Sequence, residues 1–102
     1  MTTSSTFDWV CKRIEQATGW DRLVARGTVR LVLRDMGLDP RTVGKREMSA
    51  VLRTMLPRAL EAHRIANAEA HCLRIEHELT MAVIDQPKVE SPEEIFKRLG
   101  RR

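Results

Sequence analysis

The sequence predicts an all-α protein: a compact four-helix bundle with a short C-terminal fifth helix. Three observations predict it. Apolar side chains recur every three or four residues through four stretches, the spacing that gathers them on one side of an α-helix. Gly19, Gly37, Gly44 and Asn67 punctuate the chain between those stretches. Near the end, Ser91-Pro92-Glu93-Glu94 reads as a helix start: a serine cap, a proline at the first helical position and a glutamate that returns the bond.

Each element follows in order. Residues 1–5 read as a flexible N-terminal tail. Ser5 and Asp8 have the spacing of a capping box, and Phe7, Val10, Cys11, Ile14 and Ala17 share one face. The first helix is therefore expected from about Thr6 to Thr18, with Gly19 as its stop. The second runs from an Asp21 cap to Met36 and stops at Gly37. Its apolar face is expected to hold Trp20, Leu23, Val24, Gly27 and Leu31, widened by Val29, Val32, Leu33 and Met36. Val29 to Arg34 alternates like a strand, but the longer helical period outweighs that run. Gly27 in mid-helix costs about 1 kcal/mol against alanine, and a close helix crossing is the expected return.

Leu38 to Gly44 is a connection, with Asp39-Pro40 favouring a turn. Met48, Val51, Leu52, Met55, Leu56, Ala59 and Leu60 give the third helix a clean face, and Pro57 should kink or restart it. The fourth helix is expected from an Asn67 cap to about Ile84, carrying Cys72, Ile75, Leu79, Ala82 and Val83. One long kinked helix across the third and fourth is the alternative. Residues 6–84 then form the bundle domain, 85–90 a polar linker and 91–102 an amphipathic helix with Ile95, Phe96 and Leu99 on its apolar side.

Composition narrows function mostly by exclusion. The chain has 102 residues, 42% apolar and 31% charged, and a net charge of +4, enough for one highly solvated domain. With four aromatic residues and no tyrosine, platforms for stacking bases are scarce. The start of the chain lacks the pattern of a signal peptide, and no apolar run approaches the roughly 18 residues of a membrane span. The expected setting is the cytoplasm, away from membranes. Cys11 and Cys72 fall on apolar stripes and read as two buried thiols.

No constellation for catalysis emerges. His63, His71 and His77 lie among glutamates, but the Glu-x-x-His and His-Glu-x-x-His spacings of metal sites are absent. No base is placed to activate Ser49, Cys11 or Cys72, and the glycines are too dispersed to cradle a phosphate. Neither catalysis, a metal nor a cofactor is expected. A helix-turn-helix reading is weakened by the long connection and by the apolar side chains of the third helix, which leave only Lys45, Arg46 and Arg53 to reach DNA.

What stands out is charge layout. Arg22, Arg26, Arg30 and Arg34 repeat every fourth residue of the second helix, a slanted ridge of like charge. Its bland interpretation is a solvated face, with Glu15, Glu47, Glu61 and Glu69 as neutralising neighbours; glutamine at Arg26 and Arg30 should then leave stability within about 0.5 kcal/mol. Its functional interpretation is a groove for an acidic partner or for phosphates. Trp9, off the first helix's stripe, is a candidate anchor. The expected function is a non-catalytic protein-protein interaction module, a small adaptor or regulatory subunit that self-associates. It would bind through Arg22, Arg26, Arg30, Arg34, Trp9, Ile95, Phe96 and Leu99. Nucleic-acid binding by the same ridge is the alternative.

Overall fold

The structure is a computed structural model that describes residues 3–84; the expected linker and C-terminal helix, with Ile95, Phe96 and Leu99, lie outside the described residues. Among the described residues the protein is all-α: α1 (Ser5–Thr18), α2 (Arg22–Asp35), α3 (Lys45–Arg53), α4 (Met55–Ala62) and α5 (Ala68–Met81).

The N-terminus of α1 corrects the expected cap. Ser4, not Ser5, is the N-cap: its Oγ accepts from the Phe7 amide at 3.0 Å and donates to the Val43 carbonyl at 2.8 Å. The Ser4 amide in turn donates to the Pro40 carbonyl at 2.9 Å. Residues of the expected tail are thus stitched to the α2–α3 connection, and Ser4 is buried. Gly19 ends α1 as expected, at φ 79°, a left-handed turn that an L side chain rarely adopts. Asp21 caps α2 through the Val24 amide at 2.9 Å.

α2 packs on α1 and α4 with only part of the face the apolar count suggests. The buried positions are Ala25, Thr28, Val29, Val32 and Leu33. Leu23, Val24 and Leu31 are 82%, 43% and 53% exposed. The expected close crossing at Gly27 is likewise absent: a Cβ placed there meets nothing within 4 Å. Val29, Val32 and Leu33, which the expected face also held, are buried, and Met36 packs against the core; Ala25 and Thr28 complete the inner stripe, being small enough to sit close against the neighbouring helices.

Pro57 acts as expected, one turn early. Its ring would clash with the Arg53 carbonyl of a continuous helix, so the chain breaks at Thr54 and restarts with Pro57 in the first turn of α4, where no amide is needed. The predicted third helix is therefore two, α3 and α4, and residues 3–84 hold five helices rather than four. α4 and α5 are separate, not one kinked helix: Arg64 and Asn67 take left-handed conformations at φ 62° and 57°. Asn67 is the N-cap of α5 through this geometry and not through a side-chain bond. α5 ends at Met81, short of Ile84; Ala82 is extended, and Val83 is fully exposed rather than on the stripe.

One core joins these pieces. Phe7, Val10, Cys11 and Ile14 of α1 meet Val29 and Leu33 of α2, Met48, Val51 and Leu52 of α3, Leu56 and Leu60 of α4, and Cys72, Ile75 and Leu79 of α5. Each large side chain buried there contributes about 1.5–3 kcal/mol against exposure. Both cysteines are buried and free, as their stripes predict, and burial pushes their thiols up to about 12. They are inert packing residues.

Candidate functional site

The outer side of α2 is the unusual surface. With the inner stripe buried, Arg22, Arg30, Arg34 and a second apolar stripe remain outside. That second stripe lines a shallow groove of about 520 Å³ built from Leu23, Val24, Gly27 and Leu31, edged by Arg30, Arg34 and His63. His63, at the end of α4, holds its ring edge-on to Trp20 with centroids 5.3 Å apart. Gly27, lacking a side chain, forms the floor.

The structure divides the arginine ridge. Arg26 turns toward α1: its Nη1 lies 3.1 Å from Asp8 Oδ1, and its Nη2 donates to Thr3 Oγ1 at 3.0 Å. Its guanidinium also sits 5.1 Å above the Phe7 ring, and that of Arg30 sits 5.8 Å from the same ring. Phe7 is wholly buried, so these two arginines roof the core at this corner. The Arg26 side chain is only 16% exposed. Arg22 and Arg34, at the two ends of α2, are exposed. The ridge is thus two exposed ends around a structural centre.

The arginines' neutralising partners are also not the expected ones. Among the described residues, ion pairs join Arg26 to Asp8, Arg13 to Glu78, Arg41 to Asp39 and Arg53 to Glu76. None uses Glu15, Glu61 or Glu69, and Glu47 instead accepts from the Gly44 amide at the start of α3.

Trp9 is half-buried, packed against the core, with Arg13 4.8 Å over its ring. It lines a second cleft of about 530 Å³ between α1 and α2, where Lys12, Arg22 and Arg26 face Asp8 and Glu15 and the chain passes at Val83 and Ile84. Of the sequence-predicted residues, Trp9, Arg22 and Arg26 therefore share this cleft, while Arg30 and Arg34 belong to the groove on the far side of the ridge.

Three cations that the sequence left unplaced also gather. Lys45, Arg46 and Arg53 line a groove beside α3 with Ser49 and Thr80. Two of them are engaged within the protein: Lys45 Nζ donates to the Ala82 carbonyl, and Arg53 lies 3.8 Å from Glu76, whose Oε2 also accepts from Ser49 at 2.6 Å.

Sequence reasoning missed Leu23, Val24 and Leu31 as surface residues because it assigned them to the core. A signal was present: α2 carries two stripes at helical spacing, and a helix in a small domain can bury only one against its neighbours. No group of three or more potential metal ligands occurs among the described residues. No described helix is long and apolar enough to cross a membrane. Neither a family model, a curated protein nor a solved structure matches the chain.

Proposed function

We propose that the protein is a helical protein-protein interaction module, an adaptor or regulatory subunit, whose docking face is the outer side of α2. The observation that carries this is the exposure of Leu23, Val24 and Leu31 on one helix face. Exposed apolar residues scattered singly need no explanation, but two leucines and a valine on one face beside Gly27, bordered by arginines, have the makeup of an interface. Arg30 and Arg34 at the edge would supply register and attraction for an acidic rim, and the leucines the desolvated centre.

The alternative, phosphate binding by the arginine ridge, draws less support. Arg26 is occupied by Asp8 and Thr3, and its neighbour Arg30 lies over Phe7. A basic surface built for phosphates would hold these cations free. The roles assigned to Ile95, Phe96 and Leu99 rest on sequence alone.

A photo-crosslinking residue placed at Leu23 tests the proposal, with one at Glu69, exposed on α5, as the comparison. In cells producing the protein, the Leu23 position should give a discrete cross-linked species that the Glu69 position lacks. Equal labelling at both positions, or none at Leu23, would rule out this face.

A further inference from the structure

We infer that the α2 groove is occupied, in the partner-free protein, by the chain's own residues 85–102, with Ile95, Phe96 and Leu99 on the apolar stripe, and that a partner reaches the face by displacing them. This rests on the docking-face reading and adds its regulation. Order along the chain carries the inference. Ile84, the last described residue, packs against the core and lines the cleft between α1 and α2 beside Arg22 and Arg26. The apolar groove lies on the far side of the arginine ridge from that cleft. A chain that leaves Ile84 for the groove therefore crosses arginines first and meets Leu23, Val24 and Leu31 second. The residues that follow come in the matching order. Asp85, Glu90, Glu93 and Glu94, with Lys88 as the one cation among them, precede Ile95, Phe96 and Leu99.

Reach and charge both fit. Ser91 stands seven residues beyond Ile84, about 23 Å when extended, and α2 with its 14 residues is about 21 Å long. The apolar trio can thus be set down anywhere along the helix. From Arg22 to Arg34, α2 holds no carboxylate, so its outer face lacks a counter-charge that the acidic stretch supplies. A Cβ at Gly27 meets nothing within 4 Å, which leaves room above the helix for the Phe96 ring. At helical spacing Lys97 and Arg98 fall outside the arc of Ile95, Phe96 and Leu99, so the trio can face the groove without them. Tethering sets the occupancy. A link of this length holds the trio at about millimolar local concentration, so a contact of about millimolar strength fills the groove about half of the time. Such a contact yields to a partner.

Paramagnetic broadening of amide signals in the full chain tests this, with a nitroxide attached at Lys97→Cys and the buried native thiols left unlabelled. The amides of Leu23, Gly27 and Leu31 should broaden more than those of Lys45 and Arg46. Lys45 is the control because its amine donates to the Ala82 carbonyl, close to where residues 85–102 begin, so a segment without a preferred site would broaden it at least as much. Phe96→Ser, and separately the pair Glu93→Lys and Glu94→Lys, should each weaken the contact about tenfold and the broadening at α2 about fivefold. The charge-reversed pair should also raise the cellular cross-link at Leu23 about twofold, since the face is then almost always open. Broadening no greater at α2 than at Lys45, or indifferent to both sets of substitutions, would overturn the inference. So would broadening of an isotope-labelled chain by a nitroxide carried on a different, unlabelled chain, which would assign the groove to a second molecule. An unchanged cross-link in the charge-reversed pair would overturn the competition with a partner. If the α2 signals stay sharp while the Leu23 position still cross-links in cells, only this inference fails; if both measurements are negative, the docking-face reading fails with it.

Discussion

Replacing Arg26 with glutamine should destabilise the protein by about 2 kcal/mol, although Arg26 belongs to a row of arginines that a sequence assigns to solvent. Three losses add up. The ion pair with Asp8 at 3.1 Å is half-exposed on the carboxylate side, which limits it to at most about 1 kcal/mol. The hydrogen bond to Thr3 contributes about 0.5–1.5 kcal/mol. The guanidinium over Phe7 adds roughly 0.5–1 kcal/mol, and these terms overlap because one group makes all three. For a domain of this size, 2 kcal/mol lowers the melting temperature by about 10 °C. Arg34→Gln, exposed at the end of α2, is the matched control and should stay within about 0.5 kcal/mol. Thermal unfolding followed by circular dichroism reads both. Equal melting of the two variants would refute the structural role of Arg26 and restore the ridge as four equivalent surface cations.

Three further outcomes follow from the same contacts. Gly27→Ala should stabilise the monomer by up to about 1 kcal/mol in chemical denaturation, because its Cβ meets open space and alanine favours helix. Ser4→Ala should cost about 1–3 kcal/mol by the same assay, since it removes the α1 cap and leaves the Val43 carbonyl without its donor. Stability should fall as pH rises above about 9. There the unfolded thiols ionise while folded Cys11 and Cys72, held up to about 12, keep their protons; the folded state then binds more protons, so each thiol costs up to about 1.4 kcal/mol per pH unit. Denaturation at pH 7 and pH 10 checks the sign, and Cys72→Ala should reduce the slope.

Much of the fold was legible because the signals were local. Gly19 and Gly37 stop their helices at the expected places, Asp21 caps α2, and Pro57 forces a restart whose position follows from the carbonyl it cannot face. The stripes of α1, α3 and α4 were read correctly because each carries a single apolar face. α2 carries two adjoining ones: Val29, Val32 and Leu33 were assigned to the core and lie there, but Leu23, Val24 and Leu31 were assigned with them and are exposed, while the less apolar Ala25 and Thr28 take inner positions. The candidate site was obscured by the same ambiguity. Four arginines were visible in the sequence, but which of them turns back onto Asp8 and Phe7 depends on how α2 is rotated about its axis, a tertiary property. The Ser4 bonds to Pro40 and Val43 were beyond reach for a similar reason, since they join parts of the chain that no local pattern connects.

That rotation of α2 is what the whole account depends on, and single cysteines measure it directly. Leu31→Cys and Val29→Cys place a thiol on opposite sides of the helix, and the buried native thiols react slowly enough to serve as background. In dilute protein, residue 31 should react with a water-soluble thiol reagent at nearly the rate of an unfolded chain, and residue 29 slower by orders of magnitude. Protection of residue 31 with rapid reaction at residue 29 would contradict the orientation, and with it the docking face.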